Sequence, residues 1–230
     1  MRTQSIDPKI SGVFKNIDQN ASEVIVHELY HIKTLTGAAN GATNIPSELS
    51  FFQIKTGQND DNGVPTTYEE LNMEVAGQIG TPYKFWGQYL QAFVLPSKAS
   101  NVPAYGIAVK TTPELYFANN AMRLLSRGVV TINILNQPLI RVAPISGIPA
   151  GMGVMTNAVS GFDSVINSEM AVNGVAAGSN KYPIDLYLEN QLSFDFKVSF
   201  PGGVFPLYCD LRLGFKISGF LVRPRQGGGR

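Results

Sequence analysis

The sequence predicts an all-β protein: an antiparallel jelly-roll sandwich, single or double, with one short α-helix near residues 113–127. Two observations carry that reading. First, Leu192, Phe194, Phe196, Val198 and Phe200 alternate with Ser193, Asp195, Lys197 and Ser199, the period-2 pattern of a strand with one buried and one wet face. After Pro201-Gly202-Gly203 the alternation resumes with Leu207, Cys209, Leu211, Leu213, Phe215 and Ile217 against Tyr208, Asp210, Arg212, Lys216 and Ser218. A short Gly-rich connection between two such runs predicts that they pair as an antiparallel hairpin. Second, helical periodicity stands out in one place. Thr112-Pro113 reads as an N-cap with proline at the first helical position, and Glu114 suits the positive end of the dipole. Leu115, Ala118, Met122 and Leu125 follow at helical spacing, and Gly128 ends the segment.

The remaining elements follow in chain order. Ser22 to Leu35 is apolar-rich and fits either a helix or a strand. Glu48 to Lys55, with Phe51, Phe52 and Ile54, reads as a strand, and Gln58 to Gly63 as a polar turn. Tyr83 to Leu95 is rich in aromatics, which favours a strand that Pro96 stops. Tyr105 to Lys110, Val129 to Leu135 and Leu139 to Ala143 read as further strands. From Ser146 to Asn180 the chain is rich in Gly, Ala, Ser and Asn and reads as long connections. Tyr182 to Glu189 returns to strand, with Ile184, Leu186 and Leu188 on one face. Residues 1–46 read as an N-terminal arm and first strand, residues 47–222 as the jelly-roll body, and residues 223–230 as a flexible basic tail.

Composition narrows the function classes. Charged residues make up 15% of the 230 and the net charge is +1, far from the basic excess of a protein that coats nucleic acid through its phosphates. Cys209 is the sole cysteine, so no intrachain disulfide forms and the fold rests on its apolar core. Met1 to Asn20 lacks the apolar core of a signal peptide. The uncharged stretch from Val142 to Phe162 has membrane-span length, but Pro144, Pro149 and its glycines would free backbone groups with no partners in lipid. It reads as an ordered loop of a soluble protein.

One motif points to chemistry. His27-Glu28-Leu29-Tyr30-His31 matches H-E-x-x-H, in which two histidines a helical turn apart bind zinc and the glutamate activates water. A zinc metallopeptidase is therefore an alternative reading. It needs a helix here and a third ligand from Glu48, Glu69, Glu70 or Glu74, because the sequence holds no other histidine. In a strand, His27, Leu29 and His31 share a face with Ile25 while Glu28 lies opposite, out of reach of the same metal. Other signals have structural readings. Cys209 fits a core thiol, Gly147 to Gly153 lacks the lysine of a phosphate loop, and Phe85, Trp86, Tyr89 and Phe93 fit a sandwich core better than a base-stacking platform. Arg223, Arg225 and Arg230 form a small basic tail among glycines. A carbohydrate-binding or adhesive sandwich is a third reading, and it needs an exposed aromatic platform on its loops. No catalytic residue, metal ligand or cofactor site is assigned.

Phe51-Phe52, Asn72-Met73-Glu74-Val75-Ala76-Gly77-Gln78, Pro149-Ala150-Gly151 and Gly219-Phe220-Leu221-Val222-Arg223-Pro224 together resemble the jelly-roll major capsid proteins of tailless icosahedral bacteriophages, many of which enclose a membrane. The resemblance spans roughly Leu49 to Gln226. It implies a structural protein without catalytic residues, made in the host cytoplasm and located in the virion. Its implied partners are further copies of itself in capsomer and shell, other virion proteins such as a vertex protein, and an internal membrane reached through the termini, with no sequence-specific nucleic acid.

Overall fold

In the computed structural model, residues 22–37, 43–96, 120–121, 123–135, 137–149, 154–162, 165–173, 182–203, 206–207 and 210–225 are described. Among the described residues twelve strands are formed: β1 Ser22–Leu35, β2 Thr43–Asn44, β3 Glu48–Phe51, β4 Lys84–Pro96, β5 Val129–Ile134, β6 Gln137–Pro144, β7 Val154–Phe162, β8 Val165–Asn173, β9 Tyr182–Leu188, β10 Phe194–Ser199, β11 Pro206–Leu207 and β12 Leu211–Pro224. Eight of them make two four-stranded antiparallel sheets, ordered β1-β12-β4-β9 and β3-β10-β5-β6. The protein is an all-β sandwich.

Each strand buries the parity that its alternation dictates. On β12, Leu211, Leu213, Phe215 and Ile217 are buried; on β10, Phe194, Phe196 and Val198 are. Their rings close the space between the sheets, with the Phe215 centroid 4.7 Å from Phe196 and 4.8 Å from Phe51. Each such side chain withdrawn from water contributes about 1.5–3 kcal/mol. The two runs do not pair with each other, however. β10 lies between β3 and β5, whereas β12 lies between β1 and β4, so Pro201-Gly202-Gly203 begins a crossing from one sheet to the other rather than a hairpin turn. Both runs are two-sided neighbours of other strands, and a hairpin between them would have left each sheet without its centre.

The stretch from Ser146 to Asn180 also departs from the expected loop. β6 runs on to Pro144, a 3₁₀ turn covers Ile145–Gly147, and β7 and β8 pair in unbroken antiparallel register. Val154 to Phe162 is therefore strand, built from Val, Thr and Phe among small residues. Of the helix expected at 113–127, residues 120, 121 and 123–127 are helical, and Thr112, Pro113 and Glu114 lie outside the described residues. Gly128 follows its last residue, and only glycine fits there: an added Cβ would sit 2.3 Å from Ile145 Cδ1. The strand expected at Tyr105 to Lys110 and the core thiol of Cys209 likewise fall outside the described residues. No helix among the described residues is long and apolar enough to cross a membrane.

The long excursion between β3 and β4 covers the edge of β1. Ile32 N–H donates to Glu70 O at 2.7 Å, and Asn72 receives Tyr30 N–H at 2.9 Å while its amide donates to Glu28 O at 2.6 Å. Farther along, Lys33 Nζ meets Asp61 at 2.6 Å and Asn62 donates to Thr34 O at 3.2 Å. Backbone groups that an edge strand would leave open are thus satisfied from Glu28 to Thr34.

Candidate functional site

The H-E-x-x-H residues lie on a strand, so the helix that a zincin requires is absent. His27 and His31 face the interior, and Glu28 faces outward, where its carboxylate takes a hydrogen bond from Ser218 Oγ at 3.1 Å and sits 3.2 Å from Lys216 Nζ. His31 is only 1% exposed, and its Nδ1 accepts the Phe52 N–H at 2.7 Å. That bond places the ring proton on Nε2, which is buried without a hydrogen-bond partner. Neither nitrogen offers a lone pair to a metal. Burial first, and the Lys33 ammonium second, push the His31 pKa down to about 3, so the ring is neutral.

His31 instead acts as a tack for the Phe51-Phe52 corner. Phe52 has a φ of 63°, a left-handed conformation costly for a bulky residue. Two hydrogen bonds hold it there: its N–H to His31, and its carbonyl from Gly77 N–H at 2.7 Å. Both phenylalanine rings meet the imidazole edge-to-face, at 5.4 and 5.8 Å. His27 is half-buried with its ring 6.2 Å from Phe85, and burial lowers its pKa against the opposing pull of Glu28 and Glu74.

Of the candidate third ligands two are engaged elsewhere and two are exposed. Glu48 pairs with Lys197 at 2.9 Å, Glu70 accepts the Thr67 N–H at 2.9 Å, and Glu69 and Glu74 are exposed on the excursion. Among the described residues no group of three or more His, Cys, Asp or Glu side chains is placed to hold a metal ion. Arg223 of the basic tail belongs to β12, where it is paired with Glu23 of β1.

A surface feature emerges where sequence reasoning placed only core. Phe85 and Phe93 are buried, but Trp86 and Tyr89 point outward from β4. In register across the sheet, Val26, Phe220, Trp86 and Tyr187 form one outward row, with Val24 and Val222 beside it. The Trp86 and Phe220 centroids are 6.1 Å apart, and Val24, Trp86, Tyr187 and Phe220 pack around Val222 as a cluster separate from the main core. Val26, at 77% exposed, is the most open large apolar side chain described. Polar groups rim the cluster on the β9 side. Trp86 Nε1 donates to Asp185 at 2.8 Å, and Tyr187 Oη donates to Glu189 at 3.0 Å, with burial and that bond pushing the phenol up to about 12. The sequence did hold a signal for this patch. Val24-Ile25-Val26, Phe85-Trp86 and Phe220-Leu221-Val222 are apolar on both parities, the mark of a strand segment apolar on both faces.

Comparison with protein-family models, with curated proteins and with solved structures finds no match for this chain.

Proposed function

We propose that this chain is a structural protein: a jelly-roll major capsid protein that self-assembles into the icosahedral shell of a tailless bacteriophage. The observation that carries the reading is the strand order. Taken in chain order, the eight sandwich strands place the first, last, third and sixth in one sheet and the second, seventh, fourth and fifth in the other. Consecutive strands of the second to the seventh therefore alternate between sheets except at the β5-β6 hairpin, as two Greek keys wound into a single jelly roll require. That supports one jelly roll rather than two. The motifs resembling the capsid family sit at positions that shape this body: Phe51-Phe52 at the His31 corner, Asn72 latching β1, and Gly219 to Pro224 ending β12.

The competing readings draw less support. The peptidase needs a helix at residues 24–35 and meets a strand. The carbohydrate-binding reading needs an exposed aromatic platform on loops; among the described residues Tyr68 is exposed on the β3–β4 excursion, whereas Trp86, Tyr187 and Phe220 are on strands, with the indole N–H already bonded to Asp185. The test is co-production with the other proteins of its source genome, followed by sedimentation and negative-stain microscopy. Closed symmetric particles built mainly of this chain are the expected result. A chain that stays monomeric at high concentration and never enters particles sinks the proposal.

A further inference from the structure

Each four-stranded sheet has two outer edges, and three of the four edge strands carry devices that keep further strands from pairing. β3 is four residues long and starts at Glu48, which is paired with Lys197. β6 carries Pro138 and Pro144, and β9 carries Pro183 with Asp185 exposed two residues on. Proline cannot donate to a ladder, and charge discourages a neighbour from docking.

β1 is finished differently along its two halves. Glu28, Tyr30, Ile32 and Thr34 turn backbone groups away from β12, and the excursion bonds to each of these residues. The β1-β12 register runs without a bulge from Ser22 to Leu35, so Val24 and Val26, of the same parity, turn theirs outward too. Among the described residues nothing bonds to the outward N–H and C=O groups of Val24 and Val26. Val26 is 77% exposed, and Ser22 to His27 holds neither proline nor lysine.

This open segment is complementary to an antiparallel copy of itself. With Ile25 on a two-fold axis, Val24 stands opposite Val26 of the second copy, Ile25 opposite Ile25, and Glu23 opposite His27. Apolar meets apolar on both faces, and the carboxylate meets an imidazole rather than another carboxylate. Moving the axis to Val24 sets Glu23 against Ile25, and moving it to Val26 sets Glu28 against Val24. With the axis at Ile25, Val24 and Val26 exchange both N–H···O=C bonds, because theirs are the groups that face outward. Ile25 then forms the close, non-hydrogen-bonded pair.

We infer that Ser22 to His27 is a homodimer contact: β1 pairs antiparallel with β1 of a second copy across a two-fold axis at Ile25, joining the two β1-β12-β4-β9 sheets into one. The excursion sets the length of the ladder, since Asn72 closes the edge at Glu28. The contact rests on the open edge and not on the shell reading, because a dimer forms without a shell and a shell can be built through other surfaces.

The experiment uses the purified full chain without other virion proteins. Sedimentation equilibrium over a dilution series should show a reversible dimer. Val26→Lys, which sets an ammonium against Val24 of the second copy, should raise its dissociation constant about tenfold or more. Val26 is exposed in the monomer, so this change leaves the fold in place, which circular dichroism checks. The register is read by cross-linking. Cys209 is the sole cysteine, and in a Cys209→Ser background Ile25→Cys should form an intermolecular disulfide in a glutathione redox buffer, because close antiparallel pairs hold their Cβ atoms at disulfide distance. Val64→Cys, exposed on the excursion, should stay reduced under the same conditions. The sedimentation measurement needs no change at Cys209 and stands even where that background fails to fold. A chain that is monomeric at every concentration overturns the inference, as does a dimer that Val26→Lys leaves intact. Cross-linking through Val64→Cys as fast as through Ile25→Cys overturns it too. Particles that form while the isolated chain shows no such dimer sink this contact and leave the shell reading standing; dimers without particles do the reverse.

Discussion

The two ends of the β1-β12-β4-β9 sheet share strands and composition yet are finished in opposite ways. At the end around His31, Phe215 and Ala92 the inner face is sealed by the phenylalanine cluster and the edge by the excursion carrying Asp61, Glu70 and Asn72. At the end around Val26, Phe220 and Trp86 the inner face still reaches the core through Phe85 and Leu188, but apolar side chains also stand on the outer face. The difference shows that a strand's hydrogen bonds and inner face do not decide what its outer face does. That depends on which distant segment, if any, is brought over it.

The sealed end should be the costly one to disturb. Phe215→Ala removes a ring packed against Phe51 and Phe196 and is expected to lower unfolding stability by about 3–5 kcal/mol, measured by denaturant titration. An effect near that of a surface change would mean the sandwich is loosely packed there. Gly219→Ala probes the junction between the two ends. Its Cβ would lie 2.0 Å from Trp86 O, a backbone atom that cannot turn aside, so the β4-β12 bulge must shift at a cost of about 1–3 kcal/mol. Trp86 fluorescence should change with it.

Asn72→Ala unlatches the excursion from β1. It leaves the Tyr30 N–H and Glu28 carbonyl without their side-chain partner and should cost about 1–2 kcal/mol, together with faster amide exchange from Glu28 to Ile32. The His31 tack makes the same end sensitive to acid. Unfolded, the imidazole takes up a proton near 6.5; folded, only near 3. Between those values the unfolded state binds more protons, so stability is complete above about pH 6.5 and falls as the pH drops toward 3. His31→Gln should flatten that part of the profile, and an unchanged slope would show that other groups carry it. At the open end, Val26→Ser should alter stability by no more than about 0.5 kcal/mol by the same titration, because a side chain this exposed loses little burial; a larger loss would mean that Val26 is covered in solution.

Period-2 alternation was enough to locate strands at Leu192 to Phe200 and Tyr182 to Glu189, because which face of a strand is wet is written in neighbouring residues, and aromatic enrichment located the one at Tyr83 to Leu95. The end of the helix at Gly128 was legible for the same local reason. Whether Ser22 to Leu35 was helix or strand was not, since its apolar residues satisfy both periods and only pairing with β12 along the whole of β1 settles it. That pairing also disposes of the H-E-x-x-H match, which in sequence is identical on a helix or a strand and in space is not. The hairpin expected between β10 and β12 failed on the same ground. Alternation specifies a buried face but names no partner, and a Gly-rich connection serves a turn and a crossing between sheets equally well. The sequence alone therefore determined the all-β class, the buried faces of β9, β10 and β12, and the reliance on an apolar core. The tertiary structure decided the partners, because strand pairing is fixed by closing contacts between residues as far apart as Ser22 and Pro224, and no local pattern encodes that closure.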